Sequence, residues 1–244
     1  MKTVSIKPFF TYYGGKWRAA PKYPAPIHDT IVEPFAGAAG YSMRNSQKKI
    51  ILIEKNQKMA AVWSYLIASK YSEIMSLPLL EAGQSVDDLK VCQEAKWLIG
   101  LNCNKGAAAP CKSMSAWSAG KPNEFWGEYR RARIAEGVTF IKHWSLINDD
   151  YSAAPGIEAT WFIDPPYNNK AGSYYPTQVG DYSSLGDWCK KRKGQVIVCE
   201  NDGADWLPFR PFMAIKANNS KNGGKVSLEV LWTNEETSND LFNE

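Results

Sequence analysis

Trp161-Phe162-Ile163-Asp164-Pro165-Pro166-Tyr167 joins an apolar run to a carboxylate, two prolines and an aromatic ring. Neither proline can donate to a sheet ladder, so a buried strand ending at Ile163 must leave the sheet at Asp164. The prolines fix φ and bias the residue before each toward extended backbone, so the Asp164 carboxylate and the carbonyls after it have little freedom. Rigid acceptors followed by the Tyr167 ring suit a flat, amino-bearing group such as a nucleobase. An edge strand with a rigid turn explains these four residues equally well, and the choice falls to the groups upstream. Glu33-Pro34-Phe35-Ala36-Gly37-Ala38-Ala39-Gly40 is a small-residue turn after an apolar run, a place where a ligand can pack against backbone N–H groups at a helix start. Glu54, 17 residues beyond Gly37, closes the next apolar run, where a carboxylate can accept both hydroxyls of a ribose. Tyr12-Tyr13-Gly14-Gly15-Lys16 sets a cation behind a glycine pair, which permits close backbone approach to a ligand and leaves Lys16 able to sit over a carboxylate or phosphate. Together these groups point to a nucleoside site.

The elements that must position them alternate. Thr30–Glu33 reads as a strand, the turn leads into a helix that ends before Lys48, and residues 49–54 form a second strand. From 57 to about 80 the spacing of Met59, Val62, Trp63, Leu66 and Ile67 predicts one helix with a single buried face. The sheet is expected to resume after Gly137, with an apolar segment over 138–147 leading to Asp150-Tyr151, then a strand over 159–163. Residues 168–181, rich in Gly, Asn and Tyr, are expected to form a mobile flap over the site. A helix over 182–193 ends in Lys190-Lys191-Arg192-Lys193, which either tracks phosphates or caps a helix C-terminus. Strands follow over 195–200 and 225–232, with a frayed acidic tail after Thr233. This alternation predicts an open α/β sheet with its ligands over the C-terminal edge.

At 244 residues and 44% hydrophobic, the chain can bury a full core as one domain carrying an inserted lobe. A formal charge of +4 permits a polyanionic partner without requiring one. Five cysteines with no C-x-x-C pair indicate neither a disulfide framework nor a zinc site, and a reduced cytoplasmic setting is expected. His143 has no second histidine nearby and reads as a packed or surface residue, so no metal site is expected. No stretch approaches the ~18 apolar residues of a membrane span, and no signal peptide is visible. Residues 81–135 differ in character, with Gly- and Ala-rich loops, Trp97, Trp117 and Trp126, the amides Asn102, Asn104 and Asn123, and the cations Lys105, Lys112, Lys121, Arg130, Arg131 and Arg133. Such a mixture suits a nucleic-acid surface: charges for phosphates, amides for base edges, rings for stacking. A solvated helix face over core tryptophans would look the same.

Taken in order, the motifs resemble those of Dam-type DNA adenine-N6 methyltransferases, the D12 class of S-adenosylmethionine enzymes, in the form often carried by phages and prophages. Tyr12 to Lys16 resembles the W-A-G-G-K element, Glu33 to Gly37 the P-F-x-G-x-G cofactor turn, Asp150-Tyr151 the Asp-aromatic pair against the cofactor adenine, and Asp164 to Tyr167 the D-P-P-Y catalytic motif. Ala39 stands at the second glycine of the turn, with Gly40 displaced by one; alanine is small enough that the turn should survive.

The resemblance implies a Rossmann-like methyltransferase sheet (residues 1–70 and 136–244) with an inserted, mostly helical target-recognition lobe (71–135). It implies S-adenosylmethionine as cofactor, bound by Tyr12, Tyr13, Lys16, Glu33, Pro34, Phe35, Gly37, Glu54, Asp150 and Tyr151. Catalysis would fall to Asp164, Pro165, Pro166 and Tyr167 acting on a flipped-out adenine of double-stranded DNA, with Lys105, Lys112, Lys121, Arg130 and Arg131 on the DNA. The expected setting is the cytoplasm of a bacterial or phage-infected cell, as a monomer or weak dimer, with DNA methylation for restriction-modification as one possible purpose. The rival readings are a methyltransferase on RNA adenine, cytosine N4 or protein glutamine, and a catalytically idle relative that only binds DNA or cofactor.

Overall fold

The computed structural model describes residues 5–170, 172–216 and 226–235. Seven strands form one sheet: β1 (Thr30–Glu33), β2 (Lys49–Ile53), β3 (Ser145–Ile147), β4 (Glu158–Ile163), β5 (Lys193–Asn201), β6 (Arg210–Lys216) and β7 (Val226–Thr233), in the spatial order β3-β2-β1-β4-β5-β7-β6. β1 to β5 run parallel, while β7 is antiparallel to both β5 and β6. This is an α/β fold with a mostly parallel central sheet, compatible with a Rossmann-like fold. The chain lays β2 and β3 on one side of β1, then returns to place β4 and β5 on the other. Such a reversal opens a crevice at the carboxyl ends of the two central strands, where open α/β sheets take their ligands.

The strands read as continuous apolar runs because both faces are covered. Alternate residues enter opposite cores: Ile31, Leu52, Phe162 and Ile197 on one face, Val32, Ile53, Trp161 and Val198 on the other. The first face packs on helices α1 (Gly40–Arg44), α2 (Gln57–Ala68), α3 (Tyr71–Met75), α4 (Gln93–Leu101) and α6 (Glu128–Val138); the second packs on α7 (Tyr182–Lys190) through Leu185 and Cys189. A short α5 (Ala116–Ala119) lies between α4 and α6. Ile74, Leu98, Ile99, Trp126 and Ile134 are buried in the same cluster as Trp63 and Ile50, so the helices between β2 and β3 are continuous with the core. Phe162 stacks on Tyr41 at 4.3 Å between ring centroids and 2° between planes, a pairing worth roughly 0.5–1.5 kcal/mol beyond burial. No helix among the described residues is long and apolar enough to cross a membrane.

Several elements depart from the sequence expectations. The helix predicted from 57 to 80 starts where Asn56 Oδ1 accepts from Lys58 and Met59 N–H, but stops at Ala68. Ser69 turns extended and its hydroxyl donates to Tyr65 O, ending the helix before α3 begins. The segment expected to resume the sheet at 138 gives only Ser145–Ile147 to β3; Val138 is the last residue of α6, and Gly137 lets that helix close on Phe9, whose ring would lie 2.4 Å from a Cβ there. β6 has no counterpart among the predicted strands because Pro211 interrupts its pattern. It is tolerated on an edge strand, at a register shift between Pro211 and Met213. Lys225 and the tail beyond Glu235 lie outside the described residues; Asn234 is anchored, its Oδ1 accepting from Val196 N at 2.8 Å.

Candidate active site

The turn after β1 carries unusual backbone. Gly37 has φ +46, and Ala39 at φ 48, ψ 46 is the one non-glycine residue with positive φ among those described. A left-handed alanine costs roughly 1–2 kcal/mol. What requires the bend lies above it. A Cβ on Gly40 would come within 2.5 Å of Trp17 N and 2.9 Å of the Lys16 carbonyl carbon, so the Lys16-Trp17 backbone rests directly on Gly40. Tyr12 in turn covers Gly37 at 3.3 Å from where a Cβ would stand. The displaced glycine therefore serves the docking of the Tyr12–Lys16 loop onto the turn. Trp63 Nε1 donates to Gly37 O at 2.8 Å and fixes the bend from below.

The turn, the loop and the ends of β1, β2 and β4 enclose an open cleft of about 800 Å³, part of it continuous with solvent. All ten residues picked out for the cofactor line it: Tyr12, Tyr13, Lys16, Glu33, Pro34, Phe35, Gly37, Glu54, Asp150 and Tyr151. Asp164 and Pro166 line it too; Pro165, buried, and Tyr167, half-buried, follow Asp164 in the chain without being part of the lining.

At one end, Glu54 accepts Gly37 N–H on Oε2 at 3.0 Å and Asn56 N–H on Oε1 at 2.8 Å. Burial pushes its carboxyl up, against those two bonds. Asp150 bonds Lys55 at 2.9 Å and Ser152 N–H at 3.2 Å; burial opposes ionisation, but these partners hold the group below the usual range. Phe35 and Tyr151 lie 5.5 Å apart beside it. Glu33 plays a different part from the one expected. Its Oε1 accepts Ser42 N–H inside α1, and burial lifts its carboxyl to about 8 despite that bond, leaving it neutral near pH 7. With α1 only five residues long and that N–H taken, the expected contribution from a helix end is small.

At the other end, Lys16 Nζ lies 2.8 Å from Asp164 Oδ1 and 3.6 Å from Glu229 Oε1, and donates to Gly14 O at 3.2 Å. Burial raises Asp164 to about 6 although Lys16 pulls it down. Burial works against the Lys16 ammonium, yet Asp164, and after it Tyr167 and Glu229, hold it well above its ordinary range. Glu229, on β7 and 2% exposed, also accepts the hydroxyls of Tyr23 at 2.6 Å and Tyr167 at 2.8 Å. The Tyr167 ring faces Lys16 at 4.9 Å.

The segment after the D-P-P-Y motif closes one side. Glu200 Oε2 accepts Asn168 N–H at 3.1 Å, and Tyr175 donates to Tyr13 O at 3.0 Å while packing on the rings of Tyr12 and Tyr13. Thr177, Gln178 and Val179 complete that wall.

The cations expected on a DNA surface divide. Arg130 bonds Glu124 O, Arg131 bonds Leu77 O at 2.6 Å and Arg133 bonds Pro8 O at 2.7 Å, so these guanidinium groups hold the chain together. Lys105 pairs with Glu124. Lys121 lies 4.1 Å over Trp117, which is 60% exposed, and Lys112 is exposed. Asn102 and Trp126 are buried and bonded to Leu98 O and Pro78 O. The basic run ending at Lys193 lies at the amino end of β5, the length of a nine-residue strand from the cleft at about 3.3 Å per residue. Arg192 packs there on Trp188 and Trp161, which favours the structural alternative for that run. His143 faces Lys48 O at 3.0 Å.

None of Glu229, Tyr23, Glu200 and Tyr175 was singled out from the sequence, although Glu229 stands as an acid in the middle of an apolar strand, Glu200 closes the apolar run over 195–200 and Tyr175 lies in the segment expected to cover the site. No protein-family model matches the chain, and no curated protein matches it.

Proposed function

We propose that this chain is an S-adenosylmethionine-dependent methyltransferase that acts on the exocyclic N6 amine of adenine in duplex DNA. The observation that carries the reading is the convergence of Glu54, the Gly37 turn, the Tyr12–Lys16 loop and Asp164 on one cleft at the reversal in strand order. The donor set fits the cofactor. Each Glu54 oxygen holds one backbone N–H and keeps a lone pair for a ribose hydroxyl. Phe35 and Tyr151 offer flat apolar surface beside Asp150, and Tyr12 and Lys16 stand at the opposite end. S-adenosylmethionine supplies, when bound, an electrophilic methyl group on a sulfonium.

The chain's own contribution is to present the amine. Its lone pair is delocalised into the ring, which makes it a poor nucleophile. Asp164 and the Pro165 carbonyl accept its two N–H bonds and draw the nitrogen toward tetrahedral geometry, freeing the pair for attack. An adenine inside a duplex cannot reach Asp164, so it is flipped out, at a cost of roughly a few kcal/mol, against the Tyr167 ring. Orientation and fixed charge supply the rest of the rate. Residues 71–135 serve as the target-recognition lobe, with Lys112, Lys121 and Trp117 as its free contacts.

The test is transfer of labelled methyl from S-adenosylmethionine to unmethylated duplex DNA, with mass spectrometry of the digested nucleosides. N6-methyladenine is expected. N4-methylcytosine, or label only in RNA or protein, would move the acceptor; no label in a sample that binds the cofactor would leave an idle binder.

A further inference from the structure

Glu229 is the least explained group in the site. Its Oε1 takes both tyrosine hydroxyls and faces Lys16, while its Oε2 is fully buried and has no hydrogen-bond partner among the described residues. An unsatisfied buried oxygen costs about 1–3 kcal/mol, more on a charged group. Lys16 has the complementary surplus: of three N–H donors, one reaches Asp164 at 2.8 Å and one Gly14 O at 3.2 Å, leaving the third toward Glu229 at 3.6 Å, beyond hydrogen-bond length. The ammonium thus stands between two carboxylates and is bonded to one.

We propose that Glu229 is the alternate counter-ion of Lys16, a positioning residue whose carboxylate receives the ammonium whenever Asp164 is neutralised. The proposal rests on the methyltransferase reading for its role in turnover. As the amine's lone pair forms the new C–N bond, the methyl–sulfur bond would break with its electron pair going to sulfur; the nitrogen becomes cationic and must lose a proton. Its N–H bond breaks, the electron pair returns to nitrogen, and the proton forms an O–H bond on Asp164. Lys16 then faces a neutral acid, and Glu229, 3.6 Å away, is the ion-pair partner that remains to it. Closing the 3.6 Å gap turns that pair into a hydrogen-bonded one, and return of the ammonium to Asp164 breaks the O–H bond and releases the proton to solvent water, which reaches the 19%-exposed Asp164 side chain. The Tyr167 hydroxyl, bonded to Glu229, keeps the second acid fixed while the cation moves.

Two measurements decide it. The first is the crystal structure of Asp164→Asn, whose amide imitates the protonated acid. Lys16 Nζ is expected within hydrogen-bond distance of the Glu229 carboxylate; an ammonium that stays against position 164 overturns the proposal. This structure needs no methyl transfer, so it tests the switch even if no acceptor is ever found, and a methylating protein with an immobile Lys16 would keep its assignment and lose the switch. The second is the pH profile of single-turnover methyl transfer in Glu229→Gln, which retains an acceptor for both tyrosines. Asp164 is faced by Lys16, Glu229, Tyr167 and Cys199, and by Glu33 and Glu200 from neighbouring strands and Tyr175 from the flap. Glu229 raises the Asp164 pKa, so removing its charge should move the acid limb to lower pH while the plateau falls. A lowered plateau with an unmoved limb is the signature of a merely structural Glu229 and overturns the proposal.

Discussion

At one end of the cleft Glu54 is fixed by backbone N–H groups of Gly37 and Asn56; at the other, Asp164 and Glu229 are held by the side chains of Lys16, Tyr23 and Tyr167. An acid tied to main chain cannot shift unless the turn shifts, which suits recognition of an unchanging ribose. Acids tied to an ammonium and phenols can exchange partners within a rigid frame, which suits a reaction that moves charge. Under the proposed function, the contrast separates a binding end from a chemical end.

The sharpest way to break that division is Asp164→Ala. Methyl transfer should fall by about 10²-fold or more, as for loss of a preorganised polar group at a reacting centre, with cofactor affinity within a few-fold of wild type by calorimetry. Full activity would remove Asp164 from the chemistry. Glu54→Ala should do the reverse, costing about 1.5–3 kcal/mol of cofactor affinity, or roughly ten- to a hundred-fold in Kd, while the rate at saturating cofactor persists. Equal loss in both quantities would erase the division. The pH profile sharpens it further. Asp164 must be ionised to accept the amine's N–H, and its pKa of about 6 puts the acid limb there, with the rate falling as pH drops through that value. Lys16→Met should move the limb to higher pH, because Lys16 is what pulls Asp164 down. The smallest effect is expected in the turn: Ala39→Gly should stabilise the fold by about 1 kcal/mol, read from urea unfolding, by relieving the left-handed alanine.

How much of this was legible in the sequence follows the same division. β1, β2, β4 and β5 were readable because strands covered on both faces become unbroken apolar runs, and the residues at their tips were therefore readable as well. Glu54 and Asp164 are strand-end acids, placed by local pattern alone. Glu229 is placed by register, opposite Asn201 on β5 and Met213 on β6, and no local pattern gives the pairing of a last strand inserted between two others. β6 was hidden by Pro211, and the break at Ser69 by an apolar periodicity that runs past it. The arginines of α6 looked like a DNA surface because sequence shows charge but not the carbonyl each one meets.

Tyr23 and Glu229 are bonded across 206 residues of chain, and Lys16 meets the same acid from the amino-terminal side. On a ribosome, where residues emerge at about 5–20 per second, β1 to β5 and the whole Glu54 end can assemble before β7 exists. Lys16 and Asp164 are already made at that stage, but the second acid is not. A nascent chain can therefore hold the Glu54 end of the cleft for seconds before the second acid arrives, and insertion of β7 between β5 and β6 is the step that brings Glu229 to Lys16 and Tyr23.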